Sequence, residues 1–422
     1  MTQSRGLNRR AFLTTAVVIP SLGQRAEARA SASAPARPRV LTGLDNVVAA
    51  KGAPLLGKRV GLLVHAASLT FEGRHAIDAL SASGVKLVKL FGAEHGFRGQ
   101  AAAGEKVGDA TDQASGLPVI SLYGSKSAPT PFDLEGLDVF VVDMQDAGVR
   151  FYTFAATMMH CLEACATSGV PMLILDRPNP IGGRRVECPV SGPEGEVTRS
   201  LLNMTPGPLV HGLTLAEMAR FVNSGREKKA TLNEVPLKGW TRGMTWVDTG
   251  LTWVNPSPNL RSAAACLAYP GTCMIEGTNA TEGRGTDAPF LKIGAPWFKP
   301  AEMARAVRVA GFTCEPTIFT PTSSTAAPSP KHLNVECRGL DIRVTDAHKA
   351  EPFRLGLTLL IEMKKRHAEF AWIREGTGFD RLLGTKALRA AIDRGDSVDA
   401  ILAQERVAIE EFRRARASSL LY

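Results

Sequence analysis

The chain has 422 residues, of which 44% are hydrophobic and 22% charged, a balance that is typical of soluble globular proteins and excludes a disordered polymer, a collagen-like fibre and a coiled coil. No apolar run approaches the length needed to cross a bilayer, so no stable membrane insertion is predicted. The formal net charge is +9, but basic and acidic residues alternate along most of the chain, which argues against a nucleic-acid partner.

The N-terminus has the pattern of an export signal. Arg9 and Arg10 precede a short apolar stretch that ends near Leu22, and small residues with A-x-A spacing follow. Paired arginines before a modest apolar region are typical of twin-arginine signals. We therefore predict a signal peptide over residues 1–30, a disordered leader over 31–40, and export by the twin-arginine machinery to a periplasm or the cell exterior.

Between residues 58 and 181, short apolar runs alternate with helical patterns. Continuous apolar strands separated by helices predict a parallel sheet that is covered on both faces, in the α/β class. The predicted helices include His75–Ser83 and Thr153–Ser168. The predicted strands are Arg59–Ala66, Val85–Phe91, Leu117–Leu122, Leu137–Asp143 and Pro171–Leu175.

The second half of the chain is less regular. Thr214 with Glu217 three residues later predicts a helix that opens with a capping box. From about Tyr269 the chain is rich in loops, and a strand at Leu340–Val344 with amphipathic helices predicts a smaller C-terminal α/β unit. We divide the chain into a first domain over residues 41–268 and a second over 269–422.

Polar side chains gather behind the predicted strand ends. In an open parallel sheet these segments share one edge, where ligands bind beyond the carboxyl ends of the strands. Glu94 is the first catalytic candidate, because Gly92, Gly96 and Gly99 around it permit close approach of a ligand. Packing by Phe97 would raise the pKa of a general acid. A carboxylate that merely caps the next helix is the alternative.

Asp143, Gln145 and Asp146 leave the end of the fourth strand, where they could bind a metal, orient a base or hold sugar hydroxyls. Asp146 also suits a turn cap, and Arg177 could pair with Asp143. The proline-rich turns that follow are best explained by a structural role. Two side-chain amides in them, Asn179 and Asn259, are nevertheless candidates for orienting a ligand.

The segment Thr272–Phe290 is the densest in charge. Glu276, Asn279, Glu282 and Arg284 fall within it on a chain rich in Gly and Thr, so either a binding loop or a solvated loop is compatible with its composition. Arg284 offers the planar fork that suits a carboxylate.

Several standard signatures are missing. There is no G-x-G-x-x-G in the first strand–helix turn, no Walker A, no G-x-S-x-G and no H-E-x-x-H, so no cofactor and no metal site are predicted. The seven cysteines contain no C-x-x-C pair and are expected to be buried free thiols.

Seven segments occur in one order along the chain: AEHGFRG (93–99), QDAGVRFYTF (145–154), LDRPNPIGG (175–183), HGLTLAEMA (211–219), WVNPSPNL (253–260), YPGTCMIEGTNATEGRGTDAPF (269–290) and IGAPW (293–297). Together they resemble the NamZ-type exo-β-N-acetylmuramidases. The resemblance runs from about Gly43 to the C-terminus and is densest up to Trp297.

The resemblance implies a Rossmann-like domain without a nucleotide, a smaller C-terminal domain, and an active-site cleft between them. It also implies that the substrate is a peptidoglycan fragment from which N-acetylmuramic acid is removed at the non-reducing end. Glu94 matches the glutamate of the family's EHG motif and is the leading catalytic carboxylate. Glu276 and Glu282 are the next candidates, and Asp143 would support them.

Glycoside hydrolysis needs a proton donor and usually a second carboxylate, which agrees with these assignments. Substrate-binding candidates near Glu94 and along the sheet edge are His95, Arg98, Asp143, Gln145, Arg150, Asn179, Asn259, Asn279 and Arg284. Arg98, Arg150 or Arg284 could take the lactyl carboxylate. Two alternatives stay open: a metal-dependent hydrolase that uses Asp143, Asp146 and His95, and a peptidoglycan-binding protein without turnover.

Overall fold

The computed structural model describes residues 39–96, residue 105 and residues 108–422 of the protein. The predicted signal peptide and nearly all of the predicted leader lie outside this part of the chain. Within it, no helix has the length and apolar character that a membrane span requires.

Twelve strands alternate with helices along the described chain. The strands are β1 (Arg59–Val64), β2 (Lys86–Gly92), β3 (Ala110–Thr111), β4 (Pro118–Ser121), β5 (Val139–Asp143), β6 (Met172–Leu175), β7 (Glu187–Val190), β8 (Pro208–Val210), β9 (Leu232–Val235), β10 (Lys292–Ala295), β11 (Phe312–Phe319) and β12 (Cys337–Val344). The α-helices are α1 (Gly43–Ala49), α2 (Ala76–Ala82), α3 (Pro131–Leu134), α4 (Thr153–Ser168), α5 (Leu215–Ser224), α6 (Trp246–Thr249), α7 (Ala263–Thr272), α8 (Pro300–Ala306), α9 (Pro352–Arg366), α10 (Thr377–Leu383), α11 (Ala387–Arg394), α12 (Val398–Gln404) and α13 (Arg406–Ala415). Short 3-10 turns lie at Ala53–Leu55, Cys273–Gly277, Ile373–Gly376 and Ala417–Ser419.

Seven of the strands form one sheet in the order β3-β4-β2-β1-β5-β6-β9. All neighbours in it run parallel except the edge pair of β3 and β4. Separate apolar clusters cover its two faces, and all five residues of β5 are buried. This burial on both sides explains the continuous apolar strands. The predicted α/β class with a smaller C-terminal unit is confirmed.

The predicted elements agree closely with those observed. Helix α4 has the predicted bounds, Thr153–Ser168, and the capping box of Thr214 and Glu217 is present at the start of α5. The five predicted strands are found with ends that differ by up to two residues. The edge strands β3 and β9 were not predicted.

The C-terminal unit is built on a three-stranded antiparallel sheet in the order β10-β12-β11. Helix α7 continues across the predicted domain boundary between residues 268 and 269 and packs against α9. The two helices approach closely because Gly271 faces Gly356: a Cβ atom on Gly271 would collide with the carbonyl oxygen of Pro352 and lie 2.7 Å from the amide nitrogen of Gly356.

We predict that Gly271→Ala destabilises the protein by about 2–3 kcal/mol, because the added methyl group meets backbone atoms that cannot rotate away. Gly378→Ala is the matched control. Gly378 also lies in a helix, α10, but no atom lies within 4 Å of its Cβ position, so alanine is expected to be neutral or to stabilise by up to about 1 kcal/mol. Urea unfolding of both variants measures the difference, and equal stabilities would contradict the close contact.

Candidate active site

The strand order reverses between β1 and β5, which makes this point the crevice where ligands bind in an open α/β sheet. The register places Gly92, Val64 and Asp143 side by side at the carboxyl ends of β2, β1 and β5. Glu94 and Gln145 each follow by two residues. The sheet therefore brings the segments after β1, β2 and β5 to one edge, as the sequence predicted.

Glu94 lies on this edge with only 8% of its surface exposed. The Thr153 hydroxyl, in the first turn of α4, donates a 2.6 Å hydrogen bond to its Oε2. The Tyr123 hydroxyl, which follows β4, also hydrogen-bonds the Glu94 carboxylate; burial and this charge raise the pKa of Tyr123 to about 12. The carboxylate is thus held by two hydroxyl groups, one from the first turn of α4 and one from the loop after β4.

A second carboxyl group, that of Asp146, is buried in the loop after β5. Its Oδ2 accepts a 2.7 Å hydrogen bond from the Gly148 amide, which forms the predicted turn cap, but its Oδ1 has no hydrogen-bond partner. Burial raises its pKa to about 7, against the smaller effect of the amides of Gly148 and Ala147. A carboxyl group in this range exchanges its proton near neutral pH.

Tyr152 links the two acids. Burial, followed by the charges of Asp146 and Glu94, raises the pKa of its hydroxyl well above the ordinary value, so both carboxyl groups lie within electrostatic range of this one side chain. Its hydroxyl donates to the carbonyl of Pro256. This hydrogen bond joins the start of α4 to the proline-rich turn at Pro256.

His211 faces Asp146 at 3.7 Å, measured from Nε2 to Oδ2. Its Nδ1 accepts a hydrogen bond from the Leu213 amide, so the proton belongs on Nε2, which has no partner. Burial, and then the charges of Arg416 and Arg150, lower its pKa to about 3. His211 is therefore a neutral imidazole whose Nε2–H faces the Asp146 carboxyl group.

Further polar atoms buried without a partner include His65 Nε2 and Gln145 Oε1, in the loops after β1 and β5, and Asn259 Oδ1 in the proline-rich turn. Buried polar atoms are nearly always hydrogen-bonded, so such a group of exceptions marks a place for a water or a ligand. Burial, then the neighbouring charges of His95 and His75, lower the pKa of His65 to about 3. His95 itself is buried with φ of +71°, a left-handed backbone conformation that is rare for residues with a side chain.

Asp143 forms an ion pair with Arg177. Its Oδ1 and Oδ2 accept hydrogen bonds from Arg177 Nε at 2.5 Å and Nη2 at 2.9 Å. Arg177 Nη2 also donates to the carbonyl of Leu69, in the loop after β1. This buried, bidentate ion pair connects three strand ends, so Asp143 supports the edge as the partner of Arg177.

Glu276 and Glu282 are bound by cations of their own segment. Arg284 Nη2 lies 2.5 Å from Glu276 Oε1 and its Nε lies 3.2 Å from Glu282 Oε1. Lys331 lies 3.0 Å from Glu282 Oε2 and donates to four backbone carbonyls. Burial would raise the pKa of Glu282, but Lys331 and Arg284 hold it below its ordinary value. The four charges balance one another, which leaves Arg284 without surplus charge for a substrate carboxylate.

Other candidates stabilise loops. The buried guanidinium of Arg150 donates to the carbonyls of Pro189, Gly207 and Leu383, so it is not open to a lactyl carboxylate. Both ends of the Asn179 amide are satisfied by Leu213 and Ile181, and those of Asn279 by Glu369 and Ala371. Arg98 lies outside the described residues and stays a prediction.

Sequence reasoning missed Tyr123 and Thr153 as parts of the site. The signal for Tyr123 was its place two residues beyond β4, level with Glu94 beyond β2. In the described part of the chain, no group of three or more His, Cys, Asp or Glu side chains has an arrangement that could hold a metal ion. All seven cysteines are free thiols, and six of them are buried.

Two family profiles match the chain. The N-terminal profile of the exo-β-N-acetylmuramidase NamZ matches residues 60–264, and the C-terminal profile matches residues 267–422. Among curated proteins, the peptidoglycan β-N-acetylmuramidase NamZ of Bacillus subtilis (strain 168) is 38% identical over 391 residues, which cover 92% of each chain.

Two crystal structures of DUF1343 family proteins from Bacteroides fragilis are similar in fold. One has a TM-score of 0.81 and covers 92% of this chain and 100% of its own; the other has a TM-score of 0.73 and covers 91% and 99%. Each is 28% identical to this chain. The profiles together span the described fold from β1 to the C-terminus, and the chain therefore belongs to the exo-β-N-acetylmuramidase NamZ family.

Proposed function

We propose that this protein is an exo-acting glycosidase that releases N-acetylmuramic acid from the non-reducing ends of peptidoglycan fragments, with Glu94 as its acid. Family membership supports the activity, and the observation that carries the assignment to Glu94 is its place at the strand-order reversal, buried and held by the hydroxyls of Thr153 and Tyr123. The proposed role of such a fixed carboxyl is to donate its proton to the glycosidic oxygen as the bond to the sugar carbon breaks.

We propose Asp146 as the second carboxyl group. Glu276 and Glu282 form ion pairs with Arg284 and Lys331. Asp146 Oδ1, in contrast, has no hydrogen-bond partner, and the charges of both Asp146 and Glu94 raise the pKa of Tyr152. Its role would be to accept a proton from the water that adds to the sugar carbon. The unpaired atoms of His65, Gln145 and Asn259 would then hold substrate hydroxyl or acetamido groups.

The metal-dependent alternative is weakened by Arg177, which occupies both oxygens of Asp143, one of the three ligands that it requires. The non-catalytic alternative makes the opposite prediction to ours about turnover. A single assay separates all three, because each predicts a different response to a chelator and to loss of Glu94.

We expect Glu94→Gln to lower kcat on a MurNAc–GlcNAc disaccharide by about 10²–10⁴-fold, because the amide cannot donate an acidic proton. Free N-acetylmuramic acid is measured by mass spectrometry, with and without EDTA. Glu135→Gln, at an exposed position, is the control and should keep full activity. Full turnover in Glu94→Gln would refute the assignment, loss of turnover in EDTA would favour the metal hydrolase, and binding of the disaccharide without any turnover would favour the binding protein.

Asp146→Asn tests the second carboxyl group by a pH dependence. Because burial raises the pKa of Asp146 to about 7 from 3.8, the folded state holds its proton more tightly than the unfolded state does. The stability of the wild type should therefore fall relative to the variant as pH rises from 4 to 7, by up to about 1.4 kcal/mol per pH unit, and stay constant above that range.

Chemical unfolding at pH 5, 6, 7 and 8 measures this difference, and Asp78→Asn, at an exposed position, should give none. The same variant should lose about 100-fold or more in kcat if Asp146 takes part in the chemistry. A flat stability difference would show that Asp146 is already charged, and unchanged kcat would remove it from the mechanism.

We further propose that the chain is exported by the twin-arginine route to a periplasm or the cell exterior, on the basis of Arg9 and Arg10. Replacing both by lysine is expected to retain the protein inside the cell, which fractionation and immunoblotting would detect. Arg25→Lys, within the same 30 residues, is the matched control. Unimpaired export of the paired variant would exclude this route.

A further inference from the structure

A polar cavity of about 320 Å³ is lined by residues of the C-terminal unit and by residues 196–198, away from the residues that surround Glu94. It is bounded by α10, by the turn before α11 and by the segment that follows β7. Five charged residues contribute to its wall: Glu196, Arg374, Asp380, Arg381 and Lys386. The cavity therefore contains three cations and two acids.

Both acids have hydrogen-bond partners within the protein. Glu196 accepts hydrogen bonds from the Lys386 amide at 2.8 Å and from the Thr385 hydroxyl at 3.3 Å, so it caps the N-terminus of α11. The two oxygens of Asp380 accept from Arg389 Nε at 2.9 Å and Nη2 at 2.7 Å. Asp380 is therefore neutralised by Arg389, whereas Glu196 is held by neutral donors and keeps its negative charge.

The side chains of the three cations have no partner among the described residues. Arg374, Arg381 and Lys386 are all exposed, and within the described residues their side chains make no hydrogen bond or ion pair. Like charges that share a polar recess raise the local positive potential and attract anions. The cavity thus has a surplus of positive charge, because three cations without ion-pair partners share it with one carboxylate, Glu196, that is not paired with a cation.

The backbone beside the cavity is strained. Arg374 and Glu375 have φ of +49° and +55°, and Gly376 follows with φ of +82°. Two consecutive non-glycine residues in the left-handed region cost about 1–3 kcal/mol each, and such strain is concentrated at functional sites. Here the strained turn carries Arg374, which lines the cavity together with Arg381 and Lys386.

We propose that this cavity binds a multiply charged oxyanion, a ligand with carboxylate or phosphate groups, through Arg374, Arg381 and Lys386. The two guanidinium groups match the paired oxygens of either group, and the lysine adds a point charge. The site is independent of the proposed glycosidase chemistry, because no residue of the Glu94 site lines the cavity.

Isothermal titration calorimetry of the full chain with citrate and with inorganic phosphate tests the proposal and needs no turnover. Arg374→Gln combined with Arg381→Gln should weaken binding about tenfold or more, since two charge-assisted hydrogen bonds are lost. Arg406→Gln combined with Arg414→Gln is the matched control, because both of these arginines are exposed on α13 and lie outside the cavity. Circular dichroism establishes that both double variants are folded.

Binding of citrate alone would identify a carboxylate ligand, and binding of phosphate alone a phosphate ligand; either supports the proposal if only the cavity variant is weakened. No heat from either anion at about 10 mM with the wild type would overturn it. Equal weakening in the control variant would also overturn it, because the attraction would then come from the net charge of the protein.

Discussion

The buried ion pair of Asp143 and Arg177 is the interaction on which the candidate site depends. Asp143 ends β5, Arg177 follows β6, and the same guanidinium holds the Leu69 carbonyl beyond β1. Removing either partner would leave an uncompensated charge in the interior, which typically costs about 3–5 kcal/mol. The pair fixes the loops on both sides of the reversal, so the polar groups between them keep their positions.

This framework separates two kinds of carboxylate in one site region. Asp143, Glu276 and Glu282 form ion pairs with arginine or lysine and serve as structural partners. Asp146 faces a neutral imidazole and an apolar interior, and its proton is retained up to about neutral pH. Burial without a counter-charge is what distinguishes a group able to exchange protons from one that only stabilises the fold.

Much of the fold could be predicted from periodicity and capping. Helix α4 and the capping box of Thr214 rest on local signals, and the parallel strands on continuous apolar runs. The strand β9 was missed because its sequence, LNEV, is only half-buried at the edge of the sheet and has no apolar run. The seven-segment resemblance identified the family, whereas the strand order that places the site required the structure.

The site was harder to predict because a residue type does not reveal its partner. Arg150 and Arg284 were expected to bind a carboxylate of the substrate. Arg150 instead donates to carbonyls that are distant in the sequence, and Arg284 pairs with two glutamates of its own segment. Tyr123 carries no motif of its own, and only the register of β2 and β4 places it beside Glu94. Pairings between loops are properties of the tertiary structure.

The burial of Arg150 has a consequence for movement between two parts of the chain. Its guanidinium joins carbonyls of the first part of the chain, at Pro189 and Gly207, to that of Leu383 in the C-terminal part. A hinge rotation that separated these parts would break charge-assisted hydrogen bonds worth about 1.5–3 kcal/mol each. The fold therefore favours a fixed arrangement of these two parts over a hinge movement at this contact.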